Sequence, residues 1–190
     1  MSRYLSRHQK SSRRQGLILL VFGLFLLGLY SVWRFHQSRI LSFNAKEVAG
    51  VNFSTGIKPV YIKIYPLGVD VSIKEAVIKD GVWVIHPNEA SHLITSAGIG
   101  DLGNMIIYGH NKNEILGPIR WIKEGAKIEL KGSDGRTYFY EVVKIDTVSP
   151  DNLEYISSKN EEILTLYTCI GFLDSKRFMV VARRSDKGSD

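Results

Sequence analysis

The clearest signal for the fold lies in residues 127–139, which read KIELKGSDGRTYF. Apolar and polar residues alternate on either side of the central GSDG, as is typical of β-strands that bury one face. The glycines and the aspartate supply the positive φ angles that a tight turn requires. This stretch therefore predicts a β-hairpin.

The same period-two pattern, rich in β-branched and aromatic residues, extends through the last two thirds of the chain. It predicts eight strands, at residues 60–65, 75–79, 82–85, 104–108, 127–131, 137–148, 163–168 and 177–183. Short helical turns are predicted around Glu114–Trp121 and Asn152–Ser157. Because no strand is followed by a long amphipathic helix, a Rossmann fold is excluded, and an all-β class, either a closed barrel or a sandwich, is favoured.

The N-terminal part predicts a membrane anchor. Residues 15–33 contain no charged side chain, and as a helix they would reach about 28 Å, close to the roughly 30 Å hydrocarbon core of a bilayer. No small-residue cleavage site follows, which favours an uncleaved anchor over a signal peptide. Basic residues are more numerous before the span (Arg3, Arg7, Lys10, Arg13, Arg14) than soon after it (Arg34, Arg39, Lys46). This bias predicts a cytoplasmic N-terminus and export of the remainder.

The chain is thus predicted to comprise five parts. These are a cytoplasmic basic tail (1–14), a transmembrane helix (15–33), a stalk (34–59), a β-domain (60–184) and a polar C-terminal tail (185–190). Residues 1–46 hold 8 of the 25 Lys and Arg and none of the 19 Asp and Glu, which leaves 17 basic against 19 acidic side chains in the rest. The exported part is not basic, so a nucleic-acid partner is not expected.

Cys169 is the only cysteine and ends the apolar run Ile163–Cys169. A disulfide needs a second cysteine, so a lone thiol in an oxidising compartment is either a small buried hydrophobe or a group kept for its chemistry. A cysteine attacks as its thiolate, which requires a partner that handles protons and donors that stabilise an oxyanion.

Three histidines of the predicted domain could handle protons. His86 precedes a proline and His92 lies in a polar turn, so structural or solvated roles are favoured for both. His110 differs because it directly follows a buried-looking strand and Gly109, which would expose its imidazole at a strand end. Taken alone, a structural role for His110 remains open.

A basic group follows the cysteine. Arg177 lies eight residues after Cys169 and opens the strand 177–183. If these two strands are neighbours, the guanidinium returns to the end of the sheet that holds the thiol. An ordinary solvated role for Arg177 is the alternative, and Lys176, Arg183 and Arg184 compete for the functional one.

Together these residues resemble the sortases, which are membrane-anchored cysteine transpeptidases. TLYTC at residues 165–169 resembles the T-L-x-T-C signature of that family, and GHN at 109–111 resembles its histidine segment. Arg177, four residues before Val181, resembles the catalytic arginine. The resemblance covers roughly residues 60–184, and the N-terminal span fits the same architecture.

The resemblance implies a closed eight-stranded β-barrel and a two-step acyl transfer. Cys169 would attack the carbonyl after the threonine of an LPxTG-like sorting signal on a surface protein, and an amine of a cell-wall precursor or a pilin would resolve the thioester. His110 would act as general acid and base, and Arg177 would hold the substrate and the oxyanion. Thr168 could assist in the oxyanion site. The implied location is the plasma membrane, with the catalytic domain outside the cell.

The resemblance implies no cofactor. Calcium serves some sortases, and Glu154, Glu161 and Glu162 could be ligands, but the sequence has no D-x-D-x-D-G loop and a solvated loop explains them better. Ile170–Phe172 contains no proline, the loop after Cys169 is short, and no long helix precedes Thr165. These features favour a general-purpose or minor sortase class.

Other classes fit less well. A papain-like peptidase has its cysteine before its histidine, a caspase-like enzyme has Q-A-C-x-G at the thiol, and an L,D-transpeptidase has S-x-G-C; none of these patterns is present. The alternative from a different class is a tethered, non-catalytic β-domain that binds wall polymer or a partner protein.

Overall fold

The computed structural model describes residues 2–39, 41–43 and 56–185. The chain divides into two compact units, Met1–Arg39 and Ile40–Asp190. The first unit contains one helix, α1 (Ser2–Arg39), which includes the predicted span and continues beyond it at both ends. Its segment Gln15–Trp33 has a mean hydropathy of 2.3, so by length and composition it could cross a membrane.

The described residues of the second unit form ten strands. They are β1 (Pro59–Ile64), β2 (Val69–Ala76), β3 (Ile78–Lys79), β4 (Val82–Trp83), β5 (Ala90–Leu93), β6 (Gly103–Tyr108), β7 (Lys127–Gly132), β8 (Thr137–Val148), β9 (Glu162–Ile170) and β10 (Lys176–Arg184). Eight of them form a closed barrel in the order β1-β2-β5-β6-β9-β10-β8-β7, while β3 and β4 form a separate two-stranded sheet. The predicted all-β fold with a closed eight-stranded barrel is confirmed.

Two strand pairs of the barrel, β2 with β5 and β6 with β9, are parallel, and the others are antiparallel. The predicted hairpin is β7–β8, and Gly135 in its turn has a φ of 82°. The parallel pairing of β6 with β9 gives both strands the same direction. The residues that follow Tyr108 therefore lie at the same end of the barrel as the residues that end β9.

Strands β6 and β9 are buried on both faces. Met105, Ile107, Leu164 and Leu166 point into the barrel core. The alternate residues face a second cluster outside the barrel, whose members include Ile106, Tyr108, Tyr167, Cys169 and Met179. Because both faces pack against apolar groups, these strands appear in the sequence as continuous apolar runs, and Cys169 lies on the outer face.

Two predicted strands were placed wrongly. The predicted strand 75–79 covers only the end of β2 and the two residues of β3, and the predicted strand 82–85 contains β4, which is outside the barrel. Most of β2 and all of β5 were missed. The segment of residues 90–93 is short and contains no β-branched side chain, so its sequence does not indicate a strand. It becomes a strand through its pairing with β2 and β6.

Both predicted helical turns are present as 3₁₀ turns, at Gly117–Trp121 and Leu153–Ile156. Two more occur at Tyr65–Leu67 and Phe172–Asp174. Within the predicted stalk, residues 41–43 are buried against the outer cluster, and residues 40 and 44–55 lie outside the described residues, as do 186–190 of the predicted C-terminal tail. The boundaries of the five predicted parts of the chain remain predictions.

Candidate active site

Cys169 and Arg177 lie directly opposite each other on adjacent antiparallel strands. In the register of β9 with β10, Arg177 pairs with Cys169 and Phe178 with Thr168. The five residues between these strands close a short hairpin. Cys169, the second-last residue of β9, and Arg177, the second residue of β10, therefore lie at the same end of the barrel. The topology thus brings the lone thiol and a guanidinium together.

The loop that closes this hairpin has an unusual backbone. Gly171, Leu173 and Asp174 have φ angles of 83°, 50° and 56°. For the two non-glycine residues the left-handed conformation costs about 1 kcal/mol each. Arg177 holds the loop in this shape, since its Nη1 donates to the carbonyl oxygen of Asp174 at 2.8 Å.

His110 comes from the neighbouring strand on the other side. The parallel register pairs Tyr108 with Tyr167, and the N–H of Gly109 continues it by donating to the Tyr167 carbonyl at 3.3 Å. His110 follows Gly109 directly, so it lies at the end of the barrel where β9 carries Cys169. The imidazole is half-buried and forms no hydrogen bond within the described part of the chain.

Thr168 holds the backbone that carries the histidine. Its buried hydroxyl donates to the carbonyl oxygen of Gly109 at 2.8 Å. Gly109 also has no room for a side chain, because a Cβ there would lie 2.8 Å from Cγ2 of Ile115. The Thr168 hydroxyl therefore bonds the turn before His110, and its assistance in an oxyanion site stays a prediction.

A segment that the sequence analysis assigned to the stalk covers the thiol. The N–H of Leu41 donates to Sγ of Cys169 at 3.2 Å, and Nη2 of Arg177 donates to the carbonyl oxygen of Ser42 at 2.7 Å. Phe43 packs edge-on against Tyr167, with ring centroids 5.2 Å apart. As a result Cys169 is only 1% exposed and Arg177 2%. We call residues 41–43 the strap.

Burial and nearby charges shift the pKa values of the two reactive groups. Burial raises the pKa of the Cys169 thiol to about 11, although the charge of Arg177 and the N–H of Leu41 oppose the shift. Burial, together with the charge of Lys112, lowers the pKa of His110, and Asp174 opposes that shift. With the strap bound, the pair is therefore a neutral thiol and a neutral imidazole at neutral pH.

The remaining candidate residues lie apart from this group. Nε2 of His86 donates to the carbonyl oxygen of Glu75, and Nε2 of the buried His92 donates to that of Ala97, so both have structural contacts as expected. Lys176 is exposed, and Arg183 and Arg184 pair with Glu161 and Glu162.

Metal binding has no site in the described residues, since no group of three or more His, Cys, Asp or Glu side chains could hold an ion there. Glu161 and Glu162 instead pair with arginines. The expectation that the protein needs neither calcium nor another cofactor stays a prediction.

The structure adds the strap, Trp83, Tyr167 and Asp174 to the site. Tyr167 lies inside the TLYTC motif, but nothing in the sequence marks its hydroxyl as a donor to the Leu41 carbonyl (2.9 Å). Asp174 acts electrostatically on both Cys169 and His110. The strap has one weak signal in the sequence, which is the presence of two large apolar residues, Leu41 and Phe43, in a stretch of otherwise mixed composition.

Comparison with known proteins supports the resemblance. The family profile described as Sortase domain matches residues 62–185. A search of curated proteins found no match. Among solved structures, the lid mutant of sortase A from Corynebacterium diphtheriae is 24% identical with a TM-score of 0.59, covering 67% of this chain and 70% of that one.

Two further solved structures are similar in the same way. The sortase D5 transpeptidase of Clostridium perfringens is 26% identical with a TM-score of 0.58, covering 67% of this chain and 79% of that one. Sortase C1 of Streptococcus agalactiae is 23% identical with a TM-score of 0.58, covering 70% of this chain and 69% of that one. Because these structures represent three classes at similar scores, they do not assign a class to this chain.

Proposed function

The chain belongs to the sortase family, and on that premise we propose that it is a cysteine transpeptidase that cleaves an LPxTG-like sorting signal after its threonine. The acyl group passes to Cys169 and then to an amine of a cell-wall precursor or a pilin subunit. His110 is the proton carrier and Arg177 the donor to substrate and oxyanion.

One observation carries the proposal: Cys169 and Arg177 are cross-strand partners at the end of the barrel where His110 follows β6. The parallel pairing of β6 with β9 ends at Tyr108 and Tyr167, two residues before His110 and Cys169. A thiol, an imidazole and a guanidinium in this order suit acyl transfer, since they supply a nucleophile, a proton carrier and a charge-stabilising donor.

The first half-reaction forms a thioester. The thiol gives its proton to His110, and the sulfur attacks the threonine carbonyl, so that the carbonyl carbon becomes tetrahedral and its oxygen negative. The fixed donor fork of Arg177 suits this oxyanion. When the C–N bond breaks, His110 returns the proton to the leaving amine.

The second half-reaction releases the product. An incoming amine attacks the thioester and His110 accepts its proton. The C–S bond then breaks to give a new amide, and His110 passes the proton to the departing sulfur, which restores the thiol. If water takes the place of the amine, the outcome is hydrolysis, so exclusion of water from the cleft favours transfer.

The proposed location follows from α1. Its apolar segment Gln15–Trp33 would anchor the protein in the plasma membrane as a single pass. The excess of basic residues before the segment supports a cytoplasmic N-terminus and an extracellular barrel. Surface proteins with sorting signals would meet the enzyme there.

A peptide screen tests the proposal. Full-length protein in detergent is incubated with a library of LPxTG-like peptides and a small primary amine, and products are analysed by mass spectrometry. We expect cleavage after threonine and a product extended by the amine. The alternative, a tethered non-catalytic binding domain, predicts intact peptides throughout.

A further inference from the structure

The barrel places three loops at the end where β9 carries Cys169. Following the pairings from β9 through β6, β5 and β2, strand β1 runs in the same direction as β6 and β9. The β1–β2 turn, the loop after β6 and the β9–β10 hairpin loop therefore share this end, which we call the thiol end. Leu102 directly precedes β6 and so lies at the opposite end.

Large apolar side chains are exposed at the thiol end. Within residues 41–43 and 56–185, five large apolar side chains are 61–84% exposed, and the next most exposed is at 41%. They are Tyr65, Leu102, Trp121, Phe172 and Leu173. All except Leu102 belong to the three loops of the thiol end. Single exposed apolar residues are ordinary, but this concentration at one end indicates a contact surface.

The backbone holds these side chains outward. The turn that carries Trp121 is rooted in the barrel, because its neighbours Ile119 and Ile122 belong to the barrel core. In the hairpin loop, Leu173 has a left-handed φ of 50°, and Phe172 is 84% exposed. A surface loop of five residues could be polar without any loss of core packing, so two exposed apolar side chains there indicate a partner.

Cations accompany two of the aromatic rings. The guanidinium of Arg120 lies 4.6 Å from the centroid of the Trp121 ring, and Nζ of Lys63 lies 5.9 Å from that of Tyr65. Tryptophan and tyrosine beside lysine or arginine are typical of the interface between lipid headgroups and acyl chains, since that interface accommodates both an aromatic body and a charged tip.

The distribution around the rim fits a membrane better than a protein partner. In the closed barrel the β1–β2 turn and the β9–β10 loop lie on opposite sides, with two strands between them in either direction. Tyr65 and Phe172 therefore do not form one patch. A protein partner or a second copy of the chain needs a contiguous apolar surface, whereas a lipid interface accepts each side chain separately.

With α1 as the proposed anchor, the chain itself keeps the thiol end near the bilayer. Leu41 contacts Cys169 at this end, and it follows Trp33, the last residue of the apolar segment, by eight residues. Eight residues reach at most about 29 Å when fully extended. A tether this short gives a high effective concentration, so weak insertion of a few side chains is sufficient for docking.

We propose that the thiol end of the barrel docks on the outer interface of the membrane, where Tyr65, Trp121 and Phe172 insert. The docking rests on the proposed anchor and needs no transpeptidase activity. Residues 65–68, 109–126 and 171–176 together carry four basic and three acidic side chains. Because these charges nearly cancel, insertion of apolar groups drives the docking, and added salt should weaken it little.

Quenching by brominated lipid tests the docking in full-length protein in nanodiscs. Tryptophan emission is compared between phosphatidylcholine and the same lipid brominated near the headgroup end of one acyl chain, since bromine quenches tryptophans that insert beside it. The difference between wild type and Trp33→Phe reports the anchor. Trp33→Phe retains Trp121 and the buried Trp83, so its difference from Trp33→Phe/Trp121→Phe reports Trp121 alone.

Two further reporters use the Trp33→Phe/Trp121→Phe background. Phe172→Trp reports the hairpin loop, and Leu102→Trp is the matched control, because its position is similarly exposed (76% against 84%) but lies at the opposite end. We expect brominated lipid to quench Trp121 and Phe172→Trp at least about twofold more than Leu102→Trp, since interfacial side chains insert about 5–10 Å. Thermal melts within a few degrees of the wild type show that the variants are folded.

Loss of a single contact should weaken the docking. In the Trp33→Phe background, Tyr65→Ser and Phe172→Ser should each reduce the quenching of Trp121, and Leu102→Ser should leave it unchanged. Quenching of Trp121 that neither Tyr65→Ser nor Phe172→Ser reduces refutes insertion of those two side chains.

The remaining outcomes separate the docking from the other proposals. Unquenched Trp33 refutes the anchor, and the docking with it. Quenched Trp33 with equal quenching, or none, at the three barrel reporters refutes the docking and leaves the anchor in place. Peptide cleavage is assayed on the same nanodiscs, and its absence refutes the proposed transpeptidase activity without touching the docking.

Discussion

The backbone N–H of Leu41 donates a hydrogen bond to Sγ of Cys169 at 3.2 Å, across 128 positions of sequence. This contact joins the segment after α1 to the residue on which the proposed chemistry depends. It also explains why a thiol at the end of a barrel is 1% exposed. The buried cysteine is covered by a peptide segment and is not part of the barrel core.

The alkaline behaviour of the thiol should report this cover. The pKa of Cys169 is raised to about 11 from 9.0 by burial, so the folded state with the buried thiol is favoured below pH 9 and that advantage is lost as the pH rises through 11. The difference amounts to about 3 kcal/mol. The pH dependence of alkylation should give an apparent pKa near 11 in the wild type and a value closer to 9 in Phe43→Ala. Equal values in the two proteins would contradict the cover.

Arg177→Lys should lose most activity although it keeps the charge. One ammonium cannot replace the planar fork that bonds the carbonyls of Ser42, Asp174 and Lys176 at once. We expect kcat/KM for peptide cleavage to fall by about 100-fold or more. The matched control is Arg183→Lys, an exposed ion pair with Glu161. Wild-type kinetics for Arg177→Lys would assign the role to another residue.

Thr168→Val should impair positioning of His110. The change keeps the side chain's shape but removes the donor to the Gly109 carbonyl, and it should cost about 1–3 kcal/mol of stability because a buried carbonyl loses its partner. We expect kcat to fall while KM changes little, and thermal melts should show the stability loss. The matched control Thr147→Val, at an exposed strand position, should change neither kcat nor the melting temperature. An unchanged melt for Thr168→Val would argue against the contact.

Asp174→Asn should shift two titrations in the same direction. The carboxylate opposes thiolate formation at Cys169 and favours the protonated imidazole of His110. Its removal should lower both pKa values, measured by the pH dependence of alkylation and by the imidazole proton resonances. Asp80→Asn is a matched control, since Asp80 also has a left-handed φ, of 52°, but lies in the β3–β4 turn. Opposite shifts would contradict this electrostatic assignment.

Local signals in the sequence were sufficient for the fold class. Strong alternation and turn glycines predicted β7, β8 and β10, and continuous apolar runs predicted β6 and β9. Residues 90–93 were missed because their strand exists only through pairing with β2 and β6. Such pairing depends on the closed barrel and leaves no local pattern.

The candidate site was predictable where a motif carries it. Cys169, His110 and Arg177 were predicted from the motifs that resemble those of sortases. That Arg177 lies opposite Cys169 depends on the register of β9 with β10, which no local pattern shows. The strap was not predictable in the same way, since its binding uses main-chain groups of Leu41 and Ser42 that any residue has. Asp174 was missed because its influence comes from its place in a strained loop.

The most direct test of the central claim is the intact mass of full-length protein, quenched in acid during reaction with LPxTG-like peptides. We predict that the protein gains the mass of an acyl fragment that ends in threonine, that the fragment maps to Cys169, and that hydroxylamine removes it. The Cys169→Ala variant should not gain this mass, although its far-ultraviolet dichroism should be unchanged. An unmodified chain with every peptide, in wild type and in the strap variant Phe43→Ala, would contradict the account.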